Sequence, residues 1–220
     1  MKFRDVAGGR IIASPSLDDD ELERSPCSFQ GEFDLDRLHV RGGDSFGSRG
    51  QGSITHSIVS DIDLTGATLC PLVVSDARLK GVDLSNSTIR EAALRRVEWL
   101  HGRAIGLCLS VDRLEDIYAE GVRFDYATVH IERVKGMVIF HGCSFREAEI
   151  GGDLSDIVFD ECELNGVQFS ARTARGADLK TSRLDGAHGL LSLRGAKITA
   201  EQALSIADQL AVEAGISVEN

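Results

Sequence analysis

Residues 54–99 read ITHSIVSDIDLTGATLCPLVVSDARLKGVDLSNSTIREAALRRVEW, and every fifth position is large and apolar: Ile54, Val59, Leu64, Leu69, Val74, Leu79, Leu84, Ile89, Leu94 and Trp99. The series runs on through Ala104, Leu109, Leu114, Ala119, Phe124, Val129, Val134 and Ile139. It resumes with Leu154, Phe159, Leu164, Phe169, Ala174, Leu179 and Leu184. A frame shifted by one residue holds only Leu100, Ile105, Phe140, Phe145 and Ile150 as large apolar residues. A period of five fits neither the 3.6 of a helix nor the 2 of a strand, and it misses the 3.5 of a coiled coil.

Two residues before many of these positions stands a smaller one: Ala67, Ala77, Val82, Ser87, Ala92, Val97, Ala127, Cys162, Val167, Ala177, Ser182 and Ala187. Polar residues such as Asp63, Asp83, Glu163 and Asp178 lie between. Two residues of each five therefore point inward and three outward, so the chain must turn a corner at every repeat. Four corners close a square coil of about twenty residues, and stacked coils share backbone hydrogen bonds at about 4.8 Å.

Val82-Asp83-Leu84, Ala177-Asp178-Leu179, Ile62-Asp63-Leu64, Cys162-Glu163-Leu164 and Cys143-Ser144-Phe145 carry the pattern most closely. Over residues 54–198 the chain resembles the pentapeptide-repeat family, whose motif is a small residue, Asp or Asn, then Leu or Phe, and two variable residues. The resemblance implies an all-β fold, a right-handed quadrilateral β-helix. At about twenty residues per coil the repeat region makes about six or seven coils, roughly 30 Å of axis.

Residues 140–153 leave the frame, since Phe140, Phe145 and Ile150 sit one position late and Leu154 restores it. This reads as a bulge with a compensating deletion, or as a kink that shapes a partner's surface. Residues 1–53 form an irregular segment with the first coils. Phe33, Leu35, Leu38 and Val40 are candidate strand residues, Asp18–Glu23 a solvated loop or short helix, and Gly42–Ser53 a flexible corner or loop. That glycine-rich stretch lacks the GxxxxGK[ST] pattern of a phosphate cradle.

Residues 199–220 form a C-terminal helix and tail. Thr199 and Gln202 make a capping box, Ala203, Leu204, Ala207, Leu210, Ala211 and Ala214 an apolar stripe, and Gly215 a stop. The helix is expected to cover the last coil, which would otherwise expose unpaired backbone. Leu204, Ala207, Leu210, Ala211, Ile216 and Val218 are the candidate cap and dimer residues. The family resemblance implies a homodimer through the C-terminus; a cap without a dimer is the alternative.

The net charge is -11, with 23 Gly, 3 Pro and 5% aromatic residues. The acidic balance argues against direct binding to nucleic acid or to an anionic membrane. No stretch reads as a signal peptide or a membrane span, so a cytoplasmic protein is expected. Cys27, Cys70, Cys108, Cys143 and Cys162 show no CxxC spacing and read as free thiols. Cys143 and Cys162 fall on small inward positions as packing residues, while Cys70 and Cys108 lie off the large-apolar frame. The six His, among them His130 and His141 on outward or corner positions, form no ligand pattern. No cofactor, no metal and no catalytic residue is expected, and a regular β-helix offers flat faces where an enzyme needs a pocket.

The outward charges are uneven. Asp153, Asp156, Asp160, Glu161 and Glu163 gather in one band, and Arg90, Arg95, Arg96 and Arg103 about two coils earlier. One branch of the resembled family binds DNA gyrase by imitating duplex DNA and protects it from topoisomerase poisons. That resemblance implies a non-catalytic gyrase modulator with the acidic band as its partner-binding site. Duplex DNA carries about one negative charge per 1.7 Å, so a coil would need about three. Between residues 51 and 190 acidic residues outnumber basic ones only 21 to 15. Mimicry is therefore confined to the band, and the alternative is a rigid scaffold for another cytosolic protein. A continuous acidic stripe along one face favours gyrase; isolated acidic and basic bands favour a specific protein partner.

Overall fold

A computed structural model of the chain describes residues 2–6, 9–18 and 22–218. Its strands are β1 (Lys2–Val6), β2 (Arg10–Ser14), β3 (Glu23–Arg24), β4 (Gly31–Asp36), β5 (Leu38–Arg41), β6 (Arg49–Thr55) and β7 (Ile58–Ser60). They continue as β8 (Thr68–Lys80), β9 (Thr88–Leu100), β10 (Cys108–Glu120), β11 (Thr128–Ile131), β12 (Val134–His141), β13 (Glu149–Asp153), β14 (Ile157–Asp160) and β15 (Gln168–Thr173). Two short helices follow, α1 (Ala200–Ser205) and α2 (Ala207–Glu213).

All strands after β2 pair in parallel, each with the strand one coil later. The register joins Leu69 to Ile89, Val74 to Leu94 and Leu79 to Trp99, so the five-residue period closes after four sides. Three sides run as one bent strand, β8, β9 or β10. The fourth is held by single bridges that climb Asp44, Asp63, Asp83, Arg103, Arg123, Ser144, Glu163 and Arg183. At one corner Asp76, Arg96, Asp116 and Asp156 all take positive φ, between 47° and 56°. The inward residues form one continuous core from Phe29 to Ile206.

The coils begin before the clean period does. β4 pairs with β6 and β5 with β7, which puts Phe33, Leu35 and Val40 in the core. The glycine-rich stretch 42–53 is a regular rung, with Asp44 bridged to Asp63 and Arg49–Ser53 inside β6, and not a flexible loop. The loop or short helix expected at Asp18–Glu23 falls partly on residues 19–21, outside the described residues; Glu23 itself is in β3.

The frame shift has a structural cause a few residues earlier than the sequence suggests. β12 carries a bulge opposite Glu115–Ile117, which absorbs an extra residue at Gly136–Met137. Phe140, not Ile139, therefore lies opposite Ala119. The added ring fills the space that the small Ala119 leaves. Phe140 packs edge-on to Phe124 at 5.9 Å and Phe145 at 5.2 Å, and stacks on Phe159 at 5.4 Å. The frame is restored where the β13–β15 register slips between Gly152 and Asp153.

β1 and β2 form an antiparallel hairpin that lies on the outside of the coils. Ile12, only 1% exposed, joins Tyr118, Ile139 and Val158 in a second small core. Arg4 stands 4.2 Å over the Tyr118 ring and pairs with Glu98 at 3.3 Å. Arg10 reaches Asp178 at 2.5 Å. The N-terminal segment thus straps one face of the rod.

At the other end Thr199 and Gln202 make the expected reciprocal capping box. Gln202 also donates from Nε2 to the carbonyls of Leu179 and Ser182, both at 2.7 Å, and so satisfies orphaned acceptors of the last coil. Glu213 accepts from the amides of Gly189 and Leu191. The helix breaks at Ile206, which changes the phase of its apolar stripe. Ile206 and Leu210 meet the core, whereas Leu204 is 80% exposed. Gly215 ends α2 with φ 77°, and Ile216 donates back to the Ala211 carbonyl, the bond pattern of a Schellman stop.

Candidate functional site

The outer faces are where this rod can meet anything else. Their most regular feature is the aspartate just before the periodic inward position, which Leu64, Leu84, Leu154 and Leu179 fill and Ser45 fills after Asp44. Asp44, Asp63, Asp83, Asp153 and Asp178 each accept through Oδ1 from the amide two residues on, at 2.9, 2.8, 2.9, 2.9 and 3.3 Å. This is an Asx turn, in which the carboxylate braces the corner. The repeat's acidic residue is thus occupied by its own backbone. Hydrogen bonds from Thr65 hold the Asp63 carboxyl below the usual carboxylate range.

The five acidic residues of the band span about half of one coil, across two of its corners, and do not line one face. Asp153 also accepts from the Val134 amide at 3.0 Å. Partial burial pushes its carboxyl up, but the Val134 and Ser155 amides outweigh this and hold it low. Asp160 is only 8% exposed, with His141 at 2.9 Å on one oxygen and Thr181 at 2.9 Å on the other. Glu163 pairs with Arg146, whose Nε lies 2.7 Å away. Asp156 and Glu161 are exposed at two different corners, with φ of 56° and 53°. The Asp156 carboxylate packs over Gly176 of the next rung, and neither carboxylate has an ion-pair partner among the described residues.

Several basic residues are answered in the same way from rung to rung. Arg95 faces Glu115 at 3.8 Å, Arg96 meets Asp76 at 2.5 Å, and Arg103 meets Asp83 at 3.5 Å. Burial raises Asp76, but the Arg96 guanidinium more than offsets it and holds the carboxyl low. The surface is a mosaic of short opposite-charge ladders, which contribute little stability individually where exposed.

Cys143 and Cys162 are buried in successive coils, as their small inward positions imply; Cys108 is exposed and Cys70 half-buried. A hydrogen bond with Cys143, then burial, pushes the Cys162 thiol well above its ordinary range. Among the described residues no group of three His, Cys, Asp or Glu is placed to hold a metal. No described helix is long and apolar enough to cross a membrane.

A coil that turns every five residues, closes in four sides and repeats in parallel register defines one architecture. This is the pentapeptide-repeat fold. Pentapeptide-repeat structures are also what the chain is similar to. It is similar to a trypsin-treated form of QnrB1, a plasmid-mediated fluoroquinolone resistance protein, at 18% identity over 89% of this chain and 99% of that one, TM-score 0.48. It is similar to HetL, involved in heterocyst differentiation regulation in the cyanobacterium Nostoc sp. strain PCC 7120, at 14% identity over 77% and 89%, TM-score 0.40. It is similar as well to Rfr23 from the cyanobacterium Cyanothece 51142, at 13% identity over 79% and 85%, TM-score 0.19. No family model matches the sequence, and no curated protein matches it.

Two surface features of this pentapeptide-repeat rod escape sequence reading. The strap is one, yet it leaves a trace: Tyr118, Ile139 and Val158 are apolar at successive outward positions, where the repeat normally places polar residues. Burial first, and then Glu120, pushes the Tyr118 phenol up to about 12. The other is Val212, which joins the expected Leu204, Ile216 and Val218 in an exposed apolar set at the C-terminal end. Of the expected cap residues, Leu210 packs on the core, Ala207 is exposed and Ala211 half-buried.

Proposed function

We propose that this chain is a non-catalytic protein-binding rod, recognised by the shape and paired charges of its flat faces. The observation that carries this reading is the rung-to-rung mosaic of Arg95–Glu115, Arg96–Asp76, Arg103–Asp83 and Arg146–Glu163. A surface on which many charges are paired with each other discriminates between partners and does not attract every cation alike.

DNA gyrase is the partner to test first. In favour stand the rod form, the net charge of -11 and the free carboxylates of Asp156 and Glu161. The internal use of Asp153, Asp160 and Glu163 limits any imitation of DNA to those two corners. The assay is gyrase supercoiling, and cleavage in the presence of a quinolone, with purified chain added. Inhibition or protection that weakens in the Asp156→Asn/Glu161→Gln variant supports gyrase as the partner. No effect at micromolar concentration removes gyrase and leaves the scaffold for another protein.

The rod also pairs with a second copy through Leu204, Val212, Ile216 and Val218, none of which the chain covers itself. Light scattering on the native chain is expected to give a dimer, and Leu204→Arg a monomer; a monomeric native chain refutes this contact.

A further inference from the structure

Near the C-terminal end of the rod a groove of about 530 Å³ opens between successive rungs, lined by Arg172, Arg175, Arg194, Thr173, Ser192 and Leu191 above a floor of Ala171 and Gly195. Three guanidinium groups line it and no carboxylate does. Arg172 is tied to Glu132 of a lower coil at 3.1 Å. Arg175 and Arg194 are exposed, and neither guanidinium has an ion-pair or hydrogen-bond partner among the described residues. They rise from adjacent rungs, since the Gly176 amide donates to the Gly195 carbonyl at 3.0 Å. Two unanswered positive charges one rung apart repel each other, a placement that costs stability unless an anion joins them.

The other polar side chains of the groove are already used. The Ser192 hydroxyl accepts from the Ala171 amide and donates to the Gly189 carbonyl, and Thr173 meets Ser155. The Leu191 amide is held by Glu213. Among the side chains the guanidinium forks are left to recognise a ligand, and their planar donor pairs match carboxylates. Leu191, 44% exposed, adds an apolar wall beside them.

We propose that this groove docks an acidic peptide segment of the rod's protein partner, with two carboxylates on Arg175 and Arg194 and an adjacent apolar side chain on Leu191. The proposal rests on the reading of the chain as a protein-binding rod and names the chemistry of its partner. It places a cationic contact on a protein whose net charge is -11.

The test uses the full chain and a fluorescein-labelled glutamate-rich peptide carrying one leucine, followed by fluorescence anisotropy. Saturable binding is expected that weakens at least about tenfold in Arg175→Glu/Arg194→Glu, as reversal of two ion pairs requires. Arg183→Glu, a substitution at an exposed arginine outside the groove, is expected to leave binding within about twofold. Leu191→Ser should weaken the leucine peptide and spare one of glutamate alone. Inorganic phosphate binding the groove while the peptide does not would overturn the proposal, as would equal losses in the Arg183 control. If the rod binds a partner and that complex survives the double charge reversal, the groove assignment fails and the rod reading stands.

Discussion

Gly152 lies where the chain recovers its frame, and a single methyl group there tests the register. A Cβ on Gly152 would stand 2.0 Å from the Ile131 carbonyl oxygen, 2.9 Å from its carbon and 3.1 Å from its nitrogen. All three atoms belong to the backbone of the rung beneath, so no side chain can swing away. The rungs must part by more than about an ångström, which breaks two or more of the β11–β13 bonds at about 1 kcal/mol each. The φ of 91° adds about 1–2 kcal/mol for any residue with a side chain. Gly152→Ala should therefore cost about 3–4 kcal/mol. Gly142→Ala is the control. Its φ is 57°, but an added Cβ meets nothing within 4 Å, so it should cost only the conformational part, about 1 kcal/mol. Urea unfolding followed by circular dichroism measures both. Equal losses in the two variants, or a Gly152→Ala loss below about 1 kcal/mol, would refute the account of the frame shift.

Three further outcomes follow from named contacts. Burial and Glu120 push the Tyr118 phenol up to about 12, so the 295 nm absorbance difference between the native chain and Tyr118→Phe should appear only near that pH. The raised phenol makes the folded state hold its proton longer than the unfolded one. Its contribution is complete below about pH 10 and is lost as pH rises through about 12. Asp76, Asp125, Asp153 and Asp178 are all held low against the upward push of burial, by Arg96, by Ser144 and Arg123, by the Val134 and Ser155 amides, and by the Lys180 amide and Arg10. Their contribution is present above about pH 4 and is lost as pH falls through their lowered values, so the urea midpoint should drop steadily in acid. Gln202→Ala removes two bonds to last-coil carbonyls and half of the capping box, and should cost about 1–2 kcal/mol, with faster amide exchange confined to the last coil and α1.

Much of the fold could be read from spacing, because a square coil imposes its geometry on every fifth residue. Leu69, Ile89 and Leu109 had to point inward whatever the partners of their strands. The first coils were harder, since Gly50 and Gly52 carry no side chain to mark an inward place. The Cβ that Gly50 lacks would lie 2.3 Å from the Phe29 carbonyl oxygen. The bulge at Gly136–Met137 was displaced in the reading because Ile139 is apolar and fills its periodic slot while facing outward under the strap. The capping box was legible from Thr199 and Gln202 alone; the break at Ile206 was not, because it depends on where the last coil lies.

The outer surface was the least legible part. Charges close in sequence, such as Asp153 to Glu163, are dispersed by a coil that turns four times in twenty residues. Charges far apart, such as Arg4 and Glu98 or Arg172 and Glu132, are brought together by stacking and by the strap. The Arg175 and Arg194 groove arises in the same way from adjacent rungs.

The central claim is that the rod presents a mosaic of paired charges and not a polyanionic surface. Calorimetric titration of the chain with an oligolysine peptide at 50 and at 200 mM salt tests it without presuming a partner. The account predicts weak binding that changes by less than about tenfold over that range. A fall of about a thousandfold or more, the response of a ligand that displaces counterions from duplex DNA, would contradict it.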